Sequence, residues 1–207
     1  MENLQKKALE LASNALSLTD QAIEEFTSLE SLPKPIDCKP GCHYCCYNVP
    51  MVTPPEALFI GYHLSQTFSD QQKQTLHANI QKILKKTAGK RTDEIFMMRH
   101  ELPCNFLGES MCLIYTARPV VCRTCSSTSA THCKMIFETK NHRARLRTYP
   151  QMYKLLQTIH SRLTEFCHEK GCQSDVLRLS EALVDYFKHP NPIDAWFRGK
   201  IVFRTPK

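Results

Sequence analysis

Apolar residues recur every three or four positions over the first thirty residues, which places them along one face of an α-helix. The positions are Leu4, Ala8, Leu11, Ala15, Leu18, Ala22, Phe26 and Leu29. Pro33 and Pro35 must end the helix, because proline cannot continue it. We therefore predict an N-terminal helix within residues 1–31. Its alanine-rich stripe suits packing on another helix of the same chain, and a protein partner is the alternative.

Two more helices are predicted after residue 50. Thr53 followed by Glu56 has the sequence of a capping box, and the intervening prolines suit a first helical turn. Ser69 marks the next start, with apolar positions at Leu76, Ile80, Ile83 and Leu84 and a stop at Gly89. Residues 90–103 are predicted to be a short helix or an irregular link.

A helical pair is predicted over residues 150–189. The first helix has its apolar positions between Met152 and Phe166 and ends before Gly171. The second is capped by Ser174, runs through Val176, Leu179, Leu183 and Phe187, and is ended by Pro190 and Pro192. Between the two halves, 105–107 and 113–115 flank Gly108-Glu109-Ser110 and predict a short β-hairpin, with Cys104 and Cys112 near its open end.

Composition narrows the class of protein. The chain has 207 residues, of which 42% are hydrophobic and 23% charged, as in a globular domain. The six glycines argue against a glycine-rich phosphate loop. No apolar run approaches a membrane span, and residues 1–14 contain no signal-peptide core. We therefore expect a single domain over 1–207, no membrane contact, and the reducing cytoplasm as its location.

The charge is uneven. Lys and Arg outnumber Asp and Glu by 27 to 20, for a net charge of +7. Residues 134–147 are strongly basic, but Arg143, Arg145 and Arg147 alternate and would share a face only in an extended segment. A solvated basic loop is the favoured interpretation, so nucleic acid is not the expected partner.

The main chemical signal is the eleven cysteines, nine of them between residues 38 and 133. An odd count does not suit a closed set of disulfides, and clustered thiols in a reducing compartment more often bind metal. Thiolates select zinc, iron–sulfur iron or copper(I). The candidate metal ligands form two sets, namely Cys38, Cys42, Cys45 and Cys46, then Cys104, Cys112, Cys122 and Cys125.

Several residues near these sets have alternative roles. Adjacent thiols such as Cys45 and Cys46 rarely reach one metal without backbone strain, so either one is a spectator or two metal ions lie close together. Cys133, with its neighbour His132, is undecided. His43 could ligate, although a supporting or surface role is favoured. We expect Cys167 and Cys172 to be small buried side chains.

Three segments together resemble the YkgJ-type cysteine-cluster family, described as a zinc- or iron-chelating domain with a CxxxCxxCC signature. They are Cys38-Lys-Pro-Gly-Cys42-His-Tyr-Cys45-Cys46, Pro103-Cys104-Asn-Phe106-Leu107, and Cys112-Leu-Ile-Tyr115-Thr-Ala-Arg118-Pro119-Val-Val-Cys122-Arg123. The resemblance covers residues 38–125, which we take as the cysteine-cluster core. It implies metal chelation without a defined activity. A similar domain with an iron–sulfur centre occurs in flagellin lysine methylases, but this chain looks too short for that enzyme.

The last of these segments also supplies residues expected around the site. A centre with four thiolates carries a net charge near −2, which nearby cations stabilise, so Arg118 and Arg123 are expected beside it. Pro119 would fix the chain direction between Cys112 and Cys122, and Tyr115 belongs to the same motif. The predicted fold is mainly α: a helical domain in which two cysteine-rich loops and one small β-hairpin converge on a metal site.

The sequence leaves several functions open. The first is a metal-binding cysteine-cluster protein that chelates zinc or iron, including an iron–sulfur cluster. The others are a metal-dependent enzyme with redox or methyl-transfer chemistry, a zinc-stabilised nucleic-acid-binding module, and a thiol-redox protein that uses Cys122 and Cys125. Cys-x3-Cys-x2-Cys also occurs in radical S-adenosylmethionine enzymes, but the chain lacks their alternating strands and helices. Whether any reaction is catalysed stays open.

Overall fold

The fold is known from a computed structural model that describes residues 2–141 and 143–206, with side chains from residue 6 onward. This part of the chain is mainly α-helical, with short antiparallel strands. In chain order the elements are α1 (Glu2–Thr27), β1 (Met51–Val52), α2 (Pro54–Thr67), α3 (Asp70–Thr87), α4 (Thr92–Met97), β2 (Leu107–Gly108), β3 (Met111–Cys112), α5 (Val120–Thr124), α6 (Ala130–Glu138), α7 (Pro150–Glu169), β4 (Leu177–Arg178), α8 (Leu179–Lys188) and α9 (Pro192–Phe197). Short 3-10 helices lie at Tyr44–Tyr47, Arg99–Glu101 and Tyr115–Ala117.

The hydrophobic core lies between the longer helices. Helix α2 packs against α1 and α8, while α7 packs against α1 and α5. Trp196 and Phe106 are among the largest fully buried side chains. The indole N–H of Trp196 donates a hydrogen bond to the carbonyl of Gln173 at 2.8 Å, so its polar atom is satisfied inside the core. No helix in the described residues has both the length and the apolar character needed to cross a membrane.

The predicted N-terminal helix is confirmed, but part of its predicted apolar face is wrong. Helix α1 buries Ala8, Ala12, Ala15, Leu16 and Thr19 against the rest of the domain. Leu18 and Leu29, which were assigned to the stripe, are 51% and 52% exposed. Leu18 lies on a side of α1 that the rest of the domain leaves exposed, and Leu29 lies beyond the end of α1 at Thr27.

The helix start signals near residues 53 and 69 are confirmed. The Thr53 N–H donates to Glu56 Oε2 at 2.8 Å, with prolines in the first turn. Ser69 Oγ accepts from the Gln72 N–H at 3.3 Å, and Gln72 Oε1 accepts from the Ser69 N–H at 2.8 Å. Gly89 follows the end of α3 with φ +73°, a conformation that glycine adopts without strain. Helix α4 and a 3-10 turn occupy most of residues 90–103.

The predicted hairpin is confirmed, but it is shorter than expected. Leu107 pairs with Cys112 and Gly108 with Met111. The turn consists of Glu109 and Ser110 alone, with φ +48° and +63°, which are the signs of a type I′ turn. The second strand therefore begins at Met111, and the prediction of a strand over 113–115 was wrong, because Tyr115 begins a 3-10 helix.

A second pair of strands was not predicted. Met51 pairs with Arg178 and Val52 with Leu177, which joins the end of the first cysteine loop to the C-terminal helices. Because residues 177–178 are in this ladder, α8 begins at Leu179, and the prediction of Ser174 as its cap was wrong. Pro192 was predicted only as a stop signal, but it is the first residue of α9. Its fixed φ suits the first position of a helix.

Candidate metal centre

The first cysteine loop is bent by its proline and glycine. The Cys42 N–H donates to the carbonyl of Lys39 at 3.0 Å, and Gly41 has φ +85°. Proline followed by glycine with positive φ is the sequence of a type II turn. The turn leads directly into the 3-10 helix Tyr44–Tyr47, which carries Cys45 and Cys46. With three residues per turn, these neighbouring side chains leave the helix axis about 120° apart.

The second cysteine region meets the first through the backbone. The Cys104 N–H donates to the carbonyl of Cys46 at 2.7 Å. The hairpin then brings Cys112 opposite Leu107, a few residues from Cys104. Helix α5 follows and carries Cys122, and Cys125 is the residue that caps its C-terminus.

Cys38 and Cys133 are brought together by hydrogen bonds between the first loop and the start of α6. The Asp37 N–H donates to the carbonyl of Ser127 at 2.8 Å, and Asp37 Oδ2 accepts from the Ala130 N–H at 2.8 Å. The Ser127 N–H also donates to Cys38 Sγ at 3.3 Å. Asp37 therefore fixes the N-terminus of α6 beside Cys38, and Cys133 lies on the first turns of that helix.

Aromatic rings hold the 3-10 helix against α6. The ring centroid of Phe137 lies 4.5 Å from that of Tyr47 and 5.8 Å from that of Tyr44. His43 stacks beside Tyr44 at 5.0 Å, and its Nδ1 lies 3.2 Å from the carbonyl oxygen of Gly41. One ring nitrogen of His43 is thus engaged with the backbone of the turn.

Nine thiols surround the junction of these segments. Cys38 and Cys45 keep exposed surface, and the other seven are half-buried. A cavity of about 400 Å³ opens between them and is lined by Cys38, Cys42, Cys45, Cys125 and Cys133. All eleven cysteines of the chain are free thiols. Within residues 2–141 and 143–206, no three Cys, His, Asp or Glu side chains are already arranged around a position for one metal ion.

Cys45 occupies the electrostatic centre of the thiols. Interactions with the Cys125 and Cys46 thiols lower its pKa far below the usual value, and the positive charge of Arg118 adds to the effect. The same contacts act in reverse on the partners, so the pKa values of Cys125 and Cys46 are raised. Cys45 is therefore the first of the three to form a thiolate, the species that binds metal.

The thiols nearer the hairpin are held in the neutral form by burial. Burial raises the pKa of Cys104 to about 11 and raises the pKa of Cys122 well above its usual value. Burial also raises the pKa of Cys112, and the charge of Arg118 opposes that rise. A bound cation would reverse the effect of burial, because it stabilises the thiolate directly.

The arginines predicted beside the site have different positions. The Arg118 guanidinium lies 4.0 Å above the Tyr115 ring and is in electrostatic range of Cys45, Cys112 and Cys122. Arg123 instead forms an ion pair with Asp20 on α1, and its Nε donates to the carbonyl of Arg118 at 2.8 Å. Arg123 thus supports the backbone that carries Arg118.

Pro119 also has a structural position. It precedes the first residue of α5, and its carbonyl accepts hydrogen bonds from the N–H groups of Cys122 at 2.9 Å and Arg123 at 3.1 Å. Pro119 therefore lies at the start of the helix that carries Cys122, and its role in fixing the chain direction between Cys112 and Cys122 stays a prediction.

Sequence reasoning missed one cation at the site. Arg99 lines the cavity and stacks on Phe96 with its guanidinium 4.1 Å from the ring centre. Burial lowers the pKa of Arg99, while a Cys125 thiolate acts in the opposite direction, so the two groups are close. No spacing motif includes Arg99, and only its position after α4 brings it to the thiols. Cys133, left undecided from the sequence, lines the same cavity.

The two remaining cysteines lie elsewhere. Cys167 is fully buried and Cys172 is 7% exposed, and both belong to the hydrophobic core. The Cys172 N–H donates to the carbonyl of Cys167 at 2.8 Å, across the end of α7. The prediction that these are small buried side chains is confirmed.

The helical scaffold and its ring of soft thiol donors define a cysteine-rich domain of the metal-chelating class. Residues 37–168 match the family model CxxCxxCC, described as a "putative zinc- or iron-chelating domain", and the chain belongs to this family. The match extends past residue 125 and so includes Cys133 and α6. No curated protein and no solved structure matches the chain.

Proposed function

We propose that this protein chelates zinc or iron through the clustered thiolates, with an iron–sulfur cluster as the form that the site favours. The observation that carries the proposal is the set of nine thiols, drawn from separate segments, that surround one junction, five of which line a cavity of about 400 Å³. A single zinc ion needs only four ligands, at about 2.3 Å each. A cavity between the thiols offers room for a larger inorganic core, whose irons would each take a different thiolate.

The donor set and its surroundings support this proposal. Thiolates suit both borderline zinc and the iron of iron–sulfur clusters. The cations of Arg99 and Arg118 lie in range of the thiols and would offset the negative charge of a thiolate centre. Free thiols in this number also suit a reducing compartment such as the cytoplasm, which is part of the proposal.

The test is to purify the full chain without oxygen and without a metal-binding tag, then measure metals, acid-labile sulfide and the visible spectrum together. Iron with matching sulfide and a broad brown absorbance would support the cluster. Zinc alone, without colour, would support chelation of zinc and contradict the cluster. A folded protein with no metal, in which eleven free thiols are counted after denaturation, would contradict the proposal as a whole.

A second candidate, an enzyme that uses the centre on a small molecule, is favoured by the lining of the cavity. Its volume lies within the range of ligand pockets, roughly 300 to 1,000 Å³. The aromatic rings of Tyr44, Phe96 and Phe137 and the charge of Arg99 surround it. A small planar anion would find both an apolar wall and a cation there.

This candidate can be tested with the metal-loaded protein and a set of small carboxylates and phosphates. A ligand that binds only the folded state raises the melting temperature with concentration. We expect such a rise in the wild type and its loss in Arg99→Ala, while Arg143→Ala, at an exposed position, keeps it. No rise with any member of the set would argue against a ligand site.

A further inference from the structure

We propose that the nine clustered thiols hold two separate metal centres, one in the cavity and one at the hairpin. The cavity group is defined as Cys38, Cys42, Cys125 and Cys133, and the hairpin group as Cys46, Cys104, Cys112 and Cys122. The inference rests on the proposed function, since it concerns how the metal is held. It also assigns Cys133, which belongs to no cysteine spacing motif, as a ligand.

The division begins at the 3-10 helix Tyr44–Tyr47. The side chains of Cys45 and Cys46 leave its axis about 120° apart, while their two thiols stay close enough to interact with each other. Cys45 lines the cavity, whereas Cys46 does not. The thiols in electrostatic range of Cys46, besides its neighbour, are Cys104 and Cys112. Cys46 therefore faces the hairpin thiols and not the cavity, whereas Cys45 lies at the boundary between the two groups.

The members of the cavity group share one wall. All four line the cavity, together with Cys45. Cys38 accepts a hydrogen bond from Ser127, in the segment that precedes α6, and Cys133 lies on α6 itself. The Tyr47–Phe137 contact at 4.5 Å keeps α6 against the cysteine-bearing 3-10 helix. The cavity group is therefore assembled by α6 and not by the hairpin.

The members of the hairpin group lie outside that wall. Cys104 and Cys46 are joined by a backbone hydrogen bond of 2.7 Å, and the β2–β3 ladder carries Cys112 back toward Cys104. Cys104 and Cys112 also pack against the hydrophobic core. Cys122 has Cys104 and Cys112 among its nearest charges, so the fourth thiol faces the same partners. The boundary between the groups falls at the end of α5, between Cys122 and Cys125.

Number and charge fit two centres. Each group has four thiols, the count that a tetrahedral zinc or one cubane cluster requires. Each group also has its own cation, since Arg118 lies in range of Cys112 and Cys122 and Arg99 in range of Cys125. Two adjacent negative centres would repel each other, and separate arginines reduce that repulsion. Cys45 is in contact with both groups, so it is assigned to neither.

The experiment compares metal content and thiol protection in anaerobically purified full-length variants. The cavity variant is Cys38→Ser with Cys133→Ser, and the hairpin variant is Cys104→Ser with Cys112→Ser. Cys172→Ser, in the core away from both groups, is the matched control. Each protein is checked for helicity by circular dichroism, assayed for metal per chain, and alkylated in the native state so that protected cysteines can be mapped by peptide.

Two centres predict partial and complementary losses. The cavity variant should keep the hairpin centre, with Cys46 and Cys122 still protected and Cys42 and Cys125 newly alkylated, and the hairpin variant should show the reverse. The metal lost in the two variants should sum to the wild-type content, and the control should lose none. If both variants fold but lose all their metal, the thiols hold one shared centre. That result would overturn the inference of two centres and leave the proposed chelation intact. If the wild type binds no metal, the proposed function itself fails.

Discussion

The buried carboxylate of Glu56 accepts a hydrogen bond from the backbone N–H of Val120 at 2.9 Å, and so ties the first turn of α2 to the first turn of α5. Its other oxygen accepts from the N–H and hydroxyl of Thr53 at 2.8 and 2.7 Å and lies 3.3 Å from His160 Nε2. Because α5 also carries Cys122, one fully buried acid positions part of the thiol cluster.

We expect Glu56→Gln to destabilise the fold by about 2 kcal/mol, because an amide offers one acceptor oxygen in place of two and leaves a buried donor unpaired. The measurement is the free energy of unfolding in denaturant at pH 7. Glu165→Gln, on the exposed side of α7, is the matched control and should change little. Equal stability of the two variants would show that the buried carboxylate contributes nothing.

The same residue predicts how stability depends on pH. Burial alone would raise the pKa of Glu56, but the bonds and charge of His160 and the donors of Thr53 outweigh it and lower the pKa below its usual value. A carboxyl whose pKa is lowered by folding stabilises the native state fully above the unfolded pKa, about 4.3, and loses that contribution as the pH falls through the folded pKa.

The stability difference between wild type and Glu56→Gln should therefore persist from pH 7 to about pH 5 and shrink toward pH 3. Melting temperatures of both proteins, recorded in parallel across this range, measure it. Both proteins are compared without metal, so that acid release of metal does not enter the difference. A gap that widens as the pH falls toward 3 would contradict the sign of the pKa shift.

A second buried charge, Arg123, joins α5 to α1. The Arg123 side chain is 4% exposed and pairs with Asp20, which is 51% exposed. We expect Asp20→Asn to cost about 1 kcal/mol, a small value because water screens the aspartate. In a chain of this size that lowers the melting temperature by roughly 2 to 4 °C. Glu24→Gln, also exposed on α1, should leave the melting temperature unchanged.

Gly41 offers a test of whether the type II turn serves the metal site. Gly41 has φ +85° and Gly89 has φ +73°, and a Cβ would meet no atom within 4 Å at either position. Alanine should therefore strain both turns to a similar degree, by about 1 kcal/mol. We expect Gly41→Ala to lose metal to a chelator faster than wild type and Gly89→Ala to match wild type. Equal release rates in the two variants would mean that the turn does not position ligands.

Local signals explain why much of the fold follows from the sequence. The capping boxes at Thr53 and Ser69 and the proline and glycine turns act within a few residues, so they work wherever they occur. The strand pair of Met51–Val52 with Leu177–Arg178 has no such signal, because each strand is two residues long and its partner is distant in the chain. Its existence depends on tertiary packing.

The candidate site shows the same limit. The motif cysteines lie where their spacing indicates, but Cys133 and Arg99 reach the cavity only through contacts such as that of Asp37 with the start of α6.

Residues 143–147 are non-helical, and the carbonyl of Arg147 accepts from the Thr128 N–H at 2.7 Å. Arg143 and Arg145 are exposed in this segment. These alternating arginines could share one face only in a non-helical, extended segment. That nucleic acid is not the partner of this chain stays a prediction.

Arg118 provides the sharpest test of electrostatics at the thiols. Its charge opposes the rise that burial causes in the pKa values of Cys112 and Cys122. Removing the charge in Arg118→Gln should raise these pKa values further, so that less thiolate exists at a given pH. In the reduced, metal-free protein at pH 8, we expect Cys112 to be alkylated more slowly, by up to about tenfold for one pKa unit.

Two variants separate this charge effect from a structural one. Arg118→Lys keeps the charge but loses the planar stacking on Tyr115, so it should restore most of the alkylation rate of Cys112. Arg143→Gln removes an exposed charge outside the thiol cluster and should leave the rate unchanged. If Arg118→Lys is as slow as Arg118→Gln, the stacking on Tyr115 and not the charge of Arg118 governs the thiol. If Arg118→Gln reacts faster than wild type, the guanidinium shields Cys112 and does not activate it.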